Sequence, residues 1–341
     1  MKIGIPRALL YFNYYPFWKT FFEELNHETV LSSKTTNRVL DMGVKSCVDD
    51  ACLPVKLFHG HVMDLIGKAD RIFIPRLISV EPGEYICPKF IGLPEMVKNS
   101  VPNLPELIVI DFNAHRNAER EYDGCKAVGK ALGAGLKQIN GALEKAKSAQ
   151  REYENRLLQG YNPLKLLDQG AAEAQRIPGK GSGKGRIALI GHPYLLYDQH
   201  INMNICSKLE KRGYQPLFPE NIGKDSIDAA CAGLPKKLFW SYGQRLLGSG
   251  LHMLERGMVS GIVFISSFGC GIDSFIGELL QRFNHRSFKV PYTTITLDEH
   301  SGQAGFDTRL EAFTDMLEWR RVDGCHIPSY GQNVHTCQSP F

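Results

Sequence analysis

Several features are missing from these 341 residues, and each absence removes a class of protein. No run of about 18 apolar residues occurs, so no membrane-spanning helix is expected. The opening MKIGIPRALL lacks the long apolar stretch and small-residue cleavage site of a secretory leader, so none is expected. No basic run interleaved with aromatics appears and the net charge is only +4, which argues against nucleic acid as the main partner. The nine cysteines show no compact disulfide-like spacing. That fits a reducing, cytoplasmic setting, where cysteines are core filler, metal ligands or redox groups.

What is present is an ordinary globular composition, 43% hydrophobic and 22% charged, in a chain long enough for two domains. Short apolar runs predict strands at 2–6 (KIGIP), 28–31, 71–75 (RIFIP), 107–111 (LIVID), 186–190 (RIALI), 214–218, 261–266 (GIVFIS) and 292–297 (YTTITL). Helical patterns fall between them: one opened by Tyr15-Pro16, then 37–42, a helix headed by Cys52, and 201–212, 242–256 and 308–318. This alternation predicts an α/β chain with doubly wound parallel sheets.

KIGIPRALLYF resembles RIALIGHPYLLY, and RIFIPRLISV loosely matches GIVFISSFGC. This weak repeat predicts an N-terminal α/β lobe over 1–116 and a C-terminal α/β lobe with an irregular tail over 186–341. Residues 117–185 become a helical connector and Gly-rich linker. The linker PGKGSGKG is no phosphate loop: Pro178 stands where the pattern needs Gly, and the segment precedes a strand instead of following one.

The stretch VDDACLPVKLFHGHVMDL organises the rest. Cys52 heads an apolar helix, where unpaired N–H groups favour a thiolate. Cys87, in EYICPKF, and Cys270, in SSFGCGIDSF, each follow a strand-like run and enter a turn. Ligands of open parallel sheets bind beyond the carboxyl ends of the strands. Arg7, Cys87, His192, Cys270 and Asp298-Glu299-His300 all follow predicted strands. Two alike lobes facing across a cleft would bring Cys52 and Cys87 against Cys270.

Three thiolates without an evident fourth suit an iron–sulfur cubane with one open iron. Zinc competes, because His59 and His61 lie near Cys47 and Cys52, although structural zinc favours tighter paired spacing. His59 and His61 are two apart and do not share a helix face, so they are expected to pack or hydrogen-bond. Cys206 reads as core, and Cys125 and Cys231 lack partners. Cys325 and Cys337 sit near His326 and His335, in a loose tail or a second metal site. His192, Glu299 and His300 are candidate proton donors or supporting groups, with ordinary capping as the competing role. Lys56 and Arg7 would offset an anionic cluster or a phosphate, or else form surface ion pairs.

Six ordered motifs carry a resemblance: IGIPRALLYF, ACLPVKLFHGH, EYICPKFIGLP, GHPYLLYDQHINM, FGCGIDSF and LDEHSGQAGFDTRLEAF. They resemble the activase-related branch of the 2-hydroxyacyl-CoA dehydratase and benzoyl-CoA reductase superfamily, over residues 1 to about 317. The resemblance implies two flavodoxin-like lobes with a [4Fe–4S] cluster between them, on Cys52, Cys87 and Cys270. It implies an ATP-hydrolysing activase that injects low-potential electrons, drawn from a donor such as ferredoxin or flavodoxin. The electron acceptor would be a bound substrate, for instance a CoA thioester, in a dehydratase-like lyase or an ATP-dependent reductase component. A related subunit or a second copy is a further expected partner. A non-catalytic accessory module that docks an activase is the alternative. So is a small-molecule reductase with a double-cubane cluster, for which Cys47 is the nearest spare thiol.

Overall fold

The Ile-, Val- and Phe-rich runs form two separate four-stranded parallel sheets in the computed structural model, which describes residues 1–116, 121–169, 176–177 and 183–323. The first lobe runs β1 (Lys2–Ile5), α1 (Tyr11–Glu24), β2 (Glu28–Leu31), α2 (Asn37–Ser46), α3 (Leu53–Leu65), β3 (Arg71–Ser79), α4 (Pro88–Ser100) and β4 (Glu106–Asn113). Helices α5 (Asp123–Ala131), α6 (Leu136–Leu158) and α7 (Pro163–Gln169) follow. The second lobe begins with β5 (Gly185–Ile190), α8 (Pro193–Leu196), α9 (Ile205–Lys211), β6 (Tyr214–Leu217) and α10 (Lys224–Cys231). It closes with α11 (Ser241–Glu255), β7 (Gly261–Ser267), α12 (Gly271–Phe283), β8 (Tyr292–Leu297) and α13 (Gln303–Asp323).

Strand order is β2-β1-β3-β4 in one sheet and β6-β5-β7-β8 in the other, the same order twice. Both follow the flavodoxin-like pattern, in which the order reverses beside the first strand and leaves a crevice there. Helices cover both faces, so a central strand such as β7 is buried along its whole length. Both lobes contribute to one hydrophobic core: Phe12 of α1 packs edge-on against Tyr197, at 6.2 Å between ring centres.

Helices α1 and α9 begin elsewhere than the sequence reading places them, and α4, α10 and α12 are helices it does not predict. Helix α1 starts at Tyr11, so Pro16 lies inside it. Pro16 has no N–H for the Phe12 carbonyl, and the Tyr153 hydroxyl on α6 donates there instead at 3.1 Å. Gln150 likewise donates to the Asn13 carbonyl at 2.9 Å. Helix α9 starts at Ile205, because the preceding turn places Met203 and Asn204 at positive φ. There Asn202 donates to the carbonyls of Leu195 and Leu196. The expected connector is helical through α5, α6 and α7, while residues 178–182 of the Gly-rich linker lie outside the described residues.

Candidate functional site

Cys52, Cys87 and Cys270 each occupy the position just before a helix, at the starts of α3, α4 and α12. Local sequence explains the first two helix starts: proline stands in the first turn of α3 and α4, where its missing N–H costs nothing. At α12 the Cys270 sulfur accepts from the Asp273 N–H at 3.4 Å. Gly269, at φ +75°, makes the turn before it, and a Cβ there would lie 4.0 Å from the Cys52 Cα. The second lobe's loop therefore rests against the start of α3.

All three thiols line one cavity. Its other walls include Leu9, Ile86, His192, Tyr194, Trp240 and Tyr242. Leu9 follows β1 and Ile86 follows β3; His192 follows β5 and Cys270 follows β7. Each pair comes from neighbouring strands at the point where that sheet's order reverses. The reversal points of both lobes thus face the same space. The lobes are stitched beside it: the Tyr85 N–H donates to the Phe239 carbonyl at 3.1 Å, and the Ser241 N–H to the Tyr85 carbonyl at 3.0 Å.

Residues 2–222 match the family described as CoA enzyme activase uncharacterised domain, well over half of the 341-residue chain. The chain belongs to that family. No curated protein matches it significantly. The region shared with the activase-domain family contains Cys52, Cys87 and His192, whereas Cys270 lies beyond it.

In this activase-family chain, burial pushes the Cys87 thiol up, with the charges of Cys52 and Asp273 adding to it and the Lys89 N–H opposing. Burial and Asp273 push Cys270 up further. At these two helix starts burial outweighs the pull of the helix N–H groups towards thiolate. Cations able to neutralise buried thiolates would reverse that balance, which is the usual coupling of metal binding to proton release.

His192 is buried and its Nε2 lies 3.1 Å from Asp273 Oδ1. The contact is at ion-pair distance but off hydrogen-bond alignment, since Asp273 Oδ1 has no hydrogen-bond partner among the described residues. Asp273 Oδ2 accepts from the Ser267 N–H at 3.0 Å, which fixes the carboxylate. Tyr194 stacks on the His192 ring at 5.0 Å.

The other candidates go elsewhere. Glu299 pairs with Lys56 across the lobes; burial works upward on its carboxyl, and Lys56 overrides this and holds it low. Lys56 is buried, so a surface ion pair does not describe it. His300 is exposed, its N–H donating to Asp298 Oδ1 at 2.9 Å. The Arg7 guanidinium lies over the Tyr11 ring at 5.8 Å, and Arg7 is not among the residues lining the thiol cavity.

His59 hydrogen-bonds the Val55 carbonyl at 2.8 Å, and His61 bonds Ser32 and Thr35, as expected of packing histidines. Cys125, Cys206 and Cys231 are buried. Cys47 ends α2, half-buried and close enough for the Cys52 charge to act on it. Cys325 and Cys337 lie outside the described residues. Among the described residues, no group of three or more His, Cys, Asp or Glu side chains is arranged to hold a metal ion.

Sequence reading missed that Cys87 and Cys270 head helices, and that Tyr194, Trp240 and Tyr242 wall the cavity. Pro88 directly after Cys87 and Asp273 three residues after Cys270 are the helix-start signals that were available.

Proposed function

We propose that Cys52, Cys87 and Cys270 hold a [4Fe–4S] cluster and that the chain is an iron–sulfur redox protein of the 2-hydroxyacyl-CoA dehydratase type, charged by an ATP-hydrolysing activase. One observation carries this reading: three thiols from two lobes line one cavity at the starts of three thirteen-residue helices. The donor set suits a cluster better than a single ion, because each thiolate of a cluster binds its own iron and the sulfurs need not converge on one point. The helix starts place partial positive charge around an anionic centre. Cluster-bound, such a site supplies one-electron transfer.

The chain's own residues would do the rest. Tyr194, Trp240 and Tyr242 exclude water from the thiols. His192, with Asp273 beside its Nε2 and its ring in the same cavity, is the group best placed to hold or move a proton there. Exposed apolar side chains flank the thiol-bearing segments: Val48, Phe239, Phe268 and Phe275, with Trp240 bridging Phe239 and Phe275 at 5.8 and 6.2 Å between ring centres. Such a patch supports docking of a partner that delivers electrons.

The cavity is tight. At about 30 Å³ it would be filled by a cluster on the three thiols, with no space left for a substrate beside it. This favours, as a second reading, an accessory electron carrier that turns over no substrate beside the thiols. The nearby Cys47 is the observation that keeps a larger, double-cubane cluster open.

Anaerobic reconstitution with iron and sulfide tests the reading. A brown protein with about four irons and four sulfides per chain, and an EPR signal on reduction, is expected. A colourless product free of iron and sulfide overturns it. Oxidation by substrate, after reduction by an activase and ATP, separates the enzyme from the carrier.

A further inference from the structure

A second cavity, of about 630 Å³, lies between the lobes on the side of α1 and α6. That volume is in the range of small-molecule sites. Its apolar wall is made by Tyr14, Phe17, Trp18, Phe112, Tyr122 and Tyr242. Tyr242 also lines the thiol cavity, and its hydroxyl lies 3.0 Å from that of Tyr14. The two spaces therefore share a wall.

The polar side of this cavity is incompletely paired. Arg245 of α11 lines it, and among the described residues its side chain makes no hydrogen bond or ion pair. Its charge is felt by the buried tyrosines Tyr14, Tyr153, Tyr197 and Tyr242. Nearby carboxylates are taken: Glu81 pairs with Lys224, Glu84 with Lys237, and Glu220 accepts from the Tyr197 hydroxyl.

Two amides lining the same cavity are also half satisfied. Gln150 donates to Asn13, and Gln244 to Asp228 Oδ1 at 3.0 Å, yet both amide oxygens are buried without a partner. Flipping Gln244 would set its oxygen against the Asp228 carboxylate, so its acceptor stays unmet. Unmet buried polar groups are costly, and a ligand is one way to meet them.

We infer that this cavity binds a small carboxylic acid with an aromatic-sized apolar body and a donor group beside the carboxylate. The carboxylate takes the Arg245 fork, a two-point fit. The body lies among the rings, and the donor serves the Gln150 and Gln244 oxygens. An ammonium is the best donor, because six carboxylates line the cavity (Glu81, Glu84, Glu121, Glu154, Glu220, Asp228) against four cations (Lys147, Arg151, Lys224, Arg245). The class is thus an aromatic α-amino acid. This site requires no cluster.

Isothermal titration of the full chain, metal-free and reconstituted, tests it with three probes: L-phenylalanine, 3-phenylpropionate and L-phenylalaninamide. L-phenylalanine is expected to saturate one site per chain in both forms. Phenylpropionate, without the ammonium, and phenylalaninamide, without the carboxylate, should each bind about tenfold or more weakly. Arg245→Met should cost L-phenylalanine a similar factor while thermal unfolding stays put. Arg245→Lys, which keeps the charge but loses the fork, should fall between. No saturation by any probe, equal binding by all three, or wild-type affinity in Arg245→Met overturns the inference. Absence of iron would refute the cluster and leave the metal-free titration intact, so the two readings fail separately.

Discussion

Lys56 and Glu299 form a part-buried ion pair between lobes, 243 positions apart in the chain. Lys56 is one turn into the helix that Cys52 heads, and Glu299 is in the loop after β8. The pair ties the thiol-bearing helix to the far lobe. Lys56 is only 4% exposed, so removing its partner strands a cation in the interior. Glu299→Gln is expected to destabilise the chain by about 3 kcal/mol, read from urea midpoints. Lys56→Met with Glu299→Gln should recover most of the loss. A double variant as weak as the single would show that the pair does not act as a unit.

The fold was legible because parallel strands buried on both faces are written as apolar runs. β2 and β8 match their expected ends, and β3 and β4 run on past theirs to Ser79 and Asn113, where Leu77 pairs with Phe112 beyond the Arg76–Asp111 ion pair. α4 was missed because Pro88, Gly92 and Pro94 hide its apolar stripe; the fold keeps it by burying Phe90, Leu93 and Val97. Pro16 reads as a helix start because the donor that rescues its helix, Tyr153, is 141 positions from Phe12. The three thiols could be named from local patterns. The groups that surround them come from both lobes, and no local pattern announces Asp273 behind His192 or Tyr242 between two cavities.

The crossing of α2 and α3 permits no side chain at two glycines. A Cβ on Gly43 would lie 1.9 Å from the Lys56 carbonyl oxygen, and one on Gly60 would lie 2.0 Å from that of Val39. The obstacle is backbone on both sides, so the helices must separate. Gly60→Ala should cost about 3 kcal/mol and shift the helix that begins at Cys52. Gly141→Ala in α6 meets nothing within 4 Å and should stabilise by about 0.5–1 kcal/mol. Thermal melts of the two variants check this; equal effects would contradict the close crossing.

His61 predicts an acid-side loss of stability. Both ring nitrogens are bonded, to Ser32 Oγ at 2.9 Å and Thr35 Oγ1 at 3.0 Å, and the residue is fully buried. Burial holds its pKa at about 4 against 6.5 for a free histidine; Asp64 opposes the shift and Arg7 adds to it. Between those values the unfolded chain binds a proton that the folded one refuses. Stability from this group is therefore complete above pH 6.5 and falls on acidification to pH 4, by about 1.4 kcal/mol per unit. Urea unfolding at pH 7.5, 6 and 5 should show the decline, and His61→Gln should flatten it relative to the parent. Parallel curves for the two proteins would rule His61 out as the source.

The cysteines divide by position, and substitution should divide them the same way. Cys52, Cys87 and Cys270 share a cavity; Cys125 and Cys206 sit in the core, where burial pushes the Cys206 thiol to about 12. A serine at any of the first three replaces a soft ligand by a hard one, so reconstituted iron should drop at least to about three-quarters of the parent value and become labile to chelator. Cys206→Ala should keep its iron and lose only stability, about 1–2 kcal/mol for a small buried side chain. Cys47→Ser discriminates further. A four-iron centre on three thiols ignores it, whereas a larger cluster that draws on the fourth sulfur loses iron with it. Iron retained equally by all the serine variants would place the metal somewhere other than this cavity, and iron lost equally by all of them, Cys206→Ala included, would trace the loss to folding.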